Sequence, residues 1–345
     1  MDNSLHLGSA SKETAMKYNK SQAKDASRAH FRGIWAAITT PFTSALELDE
    51  AGLRANMRYL TGTLCVDGVF CTGVMGEYWS LTKEERKRIV EIVVEEARGK
   101  CGVIAQTGST SAHETIELTR HAEAAGADFV ILMTPVYPHT DEDMVYDWFS
   151  FVASRVNIGI WLFDTPYSGR PAISPAMTAR LAQIENICGA KIARPLEHYL
   201  AVQKLCGDKI VMSSPSETDF LMMIRDHGQR VHQSSASPYL MQTAAWQPMR
   251  DYAELALRGQ FTEAAAISET LTPLRAVAKR WLHGRWHDTH ILPIAAIKAW
   301  SEMLGMAAGP VRTPLLQMTE QERRTMRTEI EASGLLARTR EPAVA

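Results

Sequence analysis

The sequence predicts an α/β fold, a (β/α)8 TIM barrel with a C-terminal helical extension. Three observations predict it. Eight short, β-rich apolar runs follow one another between residues 33 and 235. Amphipathic helical stretches alternate with them, which makes neighbouring strands parallel, and eight such units close naturally into a barrel. The turn after the first run, TPFTSALELD, contains no glycine, whereas an open doubly wound sheet, the structural runner-up, usually carries a glycine-rich phosphate loop there.

The runs are GIWAAIT (33–39), DGVFCTG (67–73), CGVIAQT (101–107), ADFVILM (127–133), NIGIWLF (157–163), NICGAKI (186–192), KIVMSS (209–214) and RVHQSS (230–235). Capping signals mark the helices between them. Thr82 with Glu85 in LTKEER forms a capping box for a helix reaching Ala97. Ser111 opens a second helix that stops at Gly126. DEDMVYDWFSFVA and SPAMTARLAQI follow the next two strands. After the eighth run the pattern becomes purely helical, from PYLMQTAAWQPMRDYAELALRG to TEQERRTMRTEIEASG. The expected organisation is a flexible tail (1–30), a barrel (31–237), a last barrel helix with a C-terminal helical region (238–337) and a short tail (338–345).

Composition excludes several classes. Of 345 residues, 46% are hydrophobic and 22% charged, and the net charge is −2; such a balance points to no nucleic-acid or membrane-surface partner. No apolar run approaches the roughly 18 residues of a membrane span. Residues 1–30 are polar and lack the apolar core of a secretory signal. Cys65, Cys71, Cys101, Cys188 and Cys206 are odd in number, scattered and without a CxxC pair, which reads as reduced thiols in a cytoplasmic protein.

In such barrels chemistry sits at the C-terminal ends of the strands. Lys191 ends the sixth run, after small residues that leave room inside. An amine there loses hydration, its ammonium form is penalised, and it can attack a carbonyl at neutral pH. Position alone equally allows a lysine reaching out to solvent. Lys209 opens the seventh run and belongs to the opposite, structural face. Tyr137, after the fourth run, could shuttle a proton or be an ordinary rim aromatic. Gly73 and Gly76 bracket a bend whose N–H groups could hold a carboxylate, or simply turn the chain. His283, His287, Asp288 and His290 cluster without the spacing of a zinc site, so no metal is expected.

From about residue 32 to 337 the chain resembles the dihydrodipicolinate synthase / N-acetylneuraminate lyase family of pyruvate-dependent aldolases. The matching stretches come in family order: AAITTPF, GVMGEYWSLTKEER, QTGSTSAHETIELTRHAEAAGAD, TPVYP, FDTP in place of Y-N-x-P, GAKI, and GPVRTPLLQMTEQER. The resemblance implies a (β/α)8 barrel, a homotetramer, and no metal or organic cofactor. It implies that Lys191 is the Schiff-base lysine, Tyr137 the acid/base, and the turn Gly73, Val74, Met75, Gly76 and Glu77 the binder of the 2-oxo acid carboxylate, with N–H donors at Met75 and Gly76.

Departures narrow the substrate. Val74 and Met75 replace the two hydroxyl residues usual in that turn, the first of which relays a proton to the tyrosine. His139 and two acids stand where the synthases carry an arginine for the acceptor's carboxylate. Asp164 replaces an asparagine. Arg194 could meet a distal anion of the substrate or form an ion pair. His232 and Gln233 align near the lysine pocket, where His232 could bond a substrate hydroxyl or be structural. The expected function is therefore a class I aldolase joining pyruvate to an aldehyde other than aspartate semialdehyde. The alternatives are a lysine-dependent dehydratase of a 2-oxo-3-deoxy sugar acid or hydratase-aldolase, and a barrel that only binds a 2-oxo acid.

Overall fold

The computed structural model describes residues 17–135, 137 and 141–338. His139 and the tail from residue 339 lie outside them. Eight strands, β1 (Gly33–Ala37), β2 (Gly68–Cys71), β3 (Gly102–Gln106), β4 (Phe129–Met133), β5 (Gly159–Asp164), β6 (Ile187–Ile192), β7 (Val211–Ser213) and β8 (Val231–Ser235), each coincide with one of the eight apolar runs, β5 passing the end of its run by one residue. All pair in parallel, in the order β7-β6-β5-β4-β3-β2-β1-β8. Because β1 pairs with β8, the sheet curls round on itself, and the doubly wound alternative is excluded. The seam between β7 and β8 is joined by side chains. Ser213 Oγ accepts from the Gln233 amide at 2.8 Å and donates to Val231 O at 2.9 Å, and the Gln229 amide bonds to Ser214 O and Val231 O.

α1 (Ala23–His30) precedes the first strand, and the outer layer follows in chain order: α2 (Glu50–Arg58), α3 (Lys83–Ala97), α4 (Ala112–Ala125), α5 (Glu142–Ala153), α6 (Pro175–Leu181), α7 (Leu196–Cys206) and α8 (Glu217–His227). The C-terminal region adds α9 (Ser237–Leu240), α10 (Pro248–Leu257), α11 (Phe261–Glu269), α12 (Thr272–Ala278), α13 (Arg285–Thr289), α14 (Ile294–Met303) and α15 (Glu320–Ala332). The capping box at α3 forms as its sequence dictates, with Glu85 N donating to Thr82 Oγ1 and Thr82 N to Glu85 Oε2. Ser111 caps α4, and Gly126 ends it at φ 96°. α10 packs on β1 and α8 and completes the ring of helices.

Two indoles fill the lumen, and glycine makes room for them. A Cβ on Gly68 would fall 2.2 Å from the Trp35 side chain, and one on Gly189 would fall 2.1 Å from that of Trp161. Those two glycines therefore face inward without a side chain because an aromatic ring already occupies the space. Phe31 stacks on Trp35 at 4.2 Å and tilts against Trp161 at 4.1 Å.

The flexible tail expected over residues 1–30 needs correction in its described part. Residues 17–30 are an ordered plug beneath the barrel. Tyr18 stacks on Phe129 and accepts from Gly159 N at 2.9 Å while donating to Asp128 O at 2.6 Å. Trp161 Nε1 donates to Ser27 Oγ at 3.2 Å. Lys17 pairs with Asp128, and Lys24 and Arg28 reach carbonyls of Ala182, Asp208 and Lys209. Polar composition hid this element: Lys20 and Lys24 end on the carbonyls of Ala153 and Ala182 at the C-termini of α5 and α6, where unpaired acceptors are costly. Lys209 lies at this same lower end.

Candidate active site

At the opposite end, the C-terminal ends of the strands enclose a cavity of about 100 Å³. Lys191 reaches it because Gly189 faces the lumen and alternation along β6 turns Lys191 the same way. The side chain is 4% exposed. Its Nζ donates to Ser234 O at 2.7 Å and stands 4.5 Å and 4.9 Å from the ring centres of Phe163 and Phe70. Among the described residues no carboxylate is paired with it. Burial alone therefore lowers its basicity, from the ordinary 10.5 to about 7. An amine in that range is largely nucleophilic at neutral pH.

Val74 and Met75 line the cavity wall opposite. Within their turn the Gly76 amide donates to Gly73 O and the Glu77 amide to Val74 O. The amides of Gly73, Val74 and Met75 have no partner among the described residues, and of the three residues Val74 and Met75 line the cavity; the expected donor at Gly76 is used internally. Glu77 is no carboxylate binder either. Fully buried, with φ 56°, it meets Lys298 Nζ at 2.7 Å and accepts from Arg312 N at 2.9 Å, and so anchors the turn from behind. Thr40 Oγ1 adds a bond to Gly76 O.

Other expected residues part company with the cavity. Asp164 ends β5, but its carboxylate is taken by Arg194 Nε at 2.7 Å and His198 Nε2 at 3.3 Å. Arg194 also donates to Thr165 O and Arg170 O. The ion-pair alternative for Arg194 holds, and neither residue lines the cavity. Burial pushes the Asp164 carboxyl up, against the pull of Arg194 and His198. His232 turns outward from β8 against Phe220 of α8, and its Nε2 bonds Ser235 Oγ at 3.0 Å. Burial and the nearby Lys191 hold this imidazole down to about 3, so it is neutral. Gln233 is fully buried and gives its amide to Ser213. Tyr137 is 73% exposed and absent from the cavity lining.

Residues that the sequence did not place at the substrate take part instead. Tyr167, on a single 3-10 turn after β5 (Pro166–Ser168), lines the cavity beside Lys191. Ser235 and Ser237 line it from the end of β8, and Leu282, His283, Pro293 and Ile297 from the C-terminal helices. His283 is held below the ordinary histidine range by burial, then by His287. Among the described residues no group of three His, Cys, Asp or Glu side chains comes together as metal ligands.

A buried, weakly basic lysine at the C-terminal mouth of a β/α barrel marks carbon–carbon lyases of the aldolase type that work through a Schiff base. The chain belongs to the dihydrodipicolinate synthetase family, whose model matches residues 30–333. It is 33% identical over 298 residues to the 4-hydroxy-tetrahydrodipicolinate synthase of Methanothrix thermoacetophila, covering 86% of this chain and 95% of that one. The same enzyme of Methanocaldococcus jannaschii is 31% identical over 308 residues, covering 89% and 100%. Among solved structures, dihydrodipicolinate synthase from Aquifex aeolicus superposes with a TM-score of 0.76 at 27% identity, covering 88% of this chain and 99% of that one. YagE, a prophage protein from E. coli K12 in complex with pyruvate, does so with 0.76 at 25%, covering 88% and 99%.

Proposed function

We propose that Lys191 is the Schiff-base lysine and that the enzyme makes or cleaves a carbon–carbon bond between pyruvate and an aldehyde. The observation that carries this is the buried amine, held near neutrality with no counter-charge, on a cavity whose far wall offers the two unpaired amides of Val74 and Met75. The amine adds to the 2-oxo carbon, and loss of water gives an iminium. Its positive charge then acidifies the adjacent carbon, and when a base removes a proton there the C–H electron pair moves toward nitrogen and leaves an enamine nucleophile. The two amides suit the pyruvate carboxylate, as backbone donors in a tight turn do. Incubation with pyruvate and borohydride should add one reduced pyruvyl group at Lys191, read by peptide mass; an unmodified Lys191 would refute the assignment.

For the acceptor we propose an aldehyde without a charged tail. Met75, Leu282, Pro293 and Ile297 line the cavity, and Arg194 is neutralised by Asp164. A carboxylate entering without a partner loses several kcal/mol of hydration, of which every 1.4 kcal/mol costs about tenfold in kcat/KM. The curated relatives are named 4-hydroxy-tetrahydrodipicolinate synthase, and that favours a second reading, aspartate semialdehyde as acceptor. The two separate in kcat/KM for the semialdehyde against an uncharged aromatic or aliphatic aldehyde, each with saturating pyruvate. A tenfold advantage for the semialdehyde would overturn the uncharged acceptor and leave the Schiff-base reaction standing. A homotetramer in the cytoplasm is proposed on the family resemblance; light scattering that gives a stable monomer at micromolar concentration would contradict the assembly. No helix among the described residues is long and apolar enough to cross a membrane.

A further inference from the structure

We propose that Arg86 is a positioning residue for the 2-oxo acid: through Gln106 and Thr72 on one side and Tyr78 on the other, it fixes the turn whose amides receive the carboxylate. The inference rests on that turn binding the carboxylate of an acid held at Lys191. The turn is strained at both ends. Thr72 and Glu77, on either side of residues 73–76, both sit in the left-handed region, at φ 52° and 56°. For a β-branched residue such as Thr72 that conformation is sparsely populated, and it persists only where the surroundings hold it.

Glu77 is held by Lys298 and by Arg312 N. Thr72 is held by its own hydroxyl, which shares its proton between Gln106 O at 2.8 Å and Cys71 O at 2.7 Å. Gln106 ends β3 one step beyond Ala105, the register partner of Cys71, so the end of β3 lies level with the start of the turn. Arg86 of α3 secures that end: its Nη2 donates to Gln106 O at 3.0 Å and to Gln106 Oε1 at 2.6 Å. Its guanidinium also lies over the Tyr78 ring, 5.9 Å from the centre, and Tyr78 N donates back to Gly73 O at 3.3 Å. One side chain thus touches residues on both flanks of the turn.

Arg86 is 6% exposed, and among the described residues no carboxylate is bonded to it. Its Nε has no hydrogen-bond partner there either. Burial lowers the guanidinium's pKa from 12.5 to about 10, against the pull of Glu114, so the group stays charged at neutral pH. A buried cation without an ion pair is costly to keep. The positive charge that remains raises the potential around a turn that receives an anion. A guanidinium also suits the place by shape, since its planar fork serves the Gln106 carbonyl and carboxamide together while its face meets the Tyr78 ring.

The test uses Arg86→Gln, Thr72→Val and Thr72→Ser in the full-length protein. Borohydride trapping at Lys191 is followed against the concentration of pyruvate and of methyl pyruvate, which presents the same carbonyl without the charge, alongside KM and kcat. Arg86→Gln and Thr72→Val should each raise KM and half-saturation for pyruvate by about tenfold or more, with kcat within about threefold, because the binding lost is common to ground state and transition state. Half-saturation by methyl pyruvate should stay within about threefold of wild type. Thr72→Ser keeps the hydroxyl, and its KM should stay within about threefold. Valine has the shape of threonine, so Thr72→Val carries the test if Arg86→Gln fails to fold. A pyruvate KM within about threefold of wild type in the folded variants, or an equal loss for pyruvate and methyl pyruvate, would overturn the assignment and leave the Schiff-base reading intact. Wild-type protein that saturates equally with both compounds would remove the turn as the carboxylate site, and the assignment with it. Wild-type protein that traps no pyruvate at Lys191 would overturn the Schiff-base reading first.

Discussion

Replacing Lys191 with methionine should abolish turnover and at the same time raise the melting temperature. The amine's fall from 10.5 to about 7 comes from burial, and at about 1.4 kcal/mol per tenfold it corresponds to a cost of about 5 kcal/mol at low pH. The folded pKa lies below the unfolded one, so between pH 7 and 10.5 the unfolded chain binds more protons, and stability rises with pH through that window. Below pH 7 the cost is full; above 10.5 it is gone. Methionine fills similar space without charge but leaves Ser234 O without its 2.7 Å donor, a loss of about 1–3 kcal/mol. The net gain near pH 6.5 is about 2–4 kcal/mol. At roughly 2.1 cal/mol/K per residue over this length, that is a rise of about 3–5 °C. Calorimetric melts of both proteins at pH 6.5 and 9.5 provide the assay, and the variant's advantage should shrink or reverse at the higher pH. A variant that melts lower at pH 6.5, or a difference independent of pH, would refute the view of Lys191 as an amine destabilised by burial.

The rate of borohydride trapping with pyruvate should fall below an inflection near pH 7, because only the free amine attacks; an inflection near 10 would place Lys191 in water. Glu77→Gln and Lys298→Met should each cost about 3–5 kcal/mol, since either leaves a buried charge alone, and the double variant should recover at least half of the summed loss. Additive losses in urea denaturation would contradict direct pairing. Deleting residues 1–30 should lower stability by about 3 kcal/mol or more through the lost burial of Tyr18 and α1, yet leave kcat per folded molecule within about twofold. Loss of turnover in folded, truncated protein would show that the plug acts on the far end of the barrel.

Much of the fold was legible because it is written locally. Period-two and continuous apolar runs mark strands wherever both faces are buried, and the caps at Thr82, Ser111 and Gly126 are formed by residues three to five positions from their partners. Lys191 was legible for a related reason: the small residues before it and its place at a strand end are both visible in NICGAKI. Tyr167 was not, and His283 stood out only as one of a histidine cluster weighed for metal, since nothing around them signals that a 3-10 turn and a C-terminal helical segment converge on one cavity. A hydroxyl two residues before Tyr167, in position to cap a turn, was the one available hint. Asp164, Arg194 and Glu77 were placed at the substrate because the chain brings them close to it; that their charges are consumed by one another and by Lys298 is a tertiary fact. The plug was missed because a polar segment carrying Lys17, Lys20, Lys24 and Arg28 reads as solvent-facing until its partners, more than a hundred residues away, are in place.

That separation has a consequence for how the protein is made. Residues 17–30 leave the ribosome before any of the barrel strands, but the carbonyls that receive Arg28, those of Asp208 and Lys209, are about 180 residues further on. At 5–20 residues per second, roughly 10–40 s pass before the docking surface exists. During that interval Tyr18 and the exposed ends of Trp35 and Phe31 have nowhere to go, while Lys17, Lys20, Lys24 and Arg28 give the waiting arm a positive charge that keeps it in water. Docking beneath β5, β6 and β7 then becomes one of the last events of folding, and it can occur only on a barrel whose strands are already in register. A segment made before the strands it docks on thus serves as an inspection step on them.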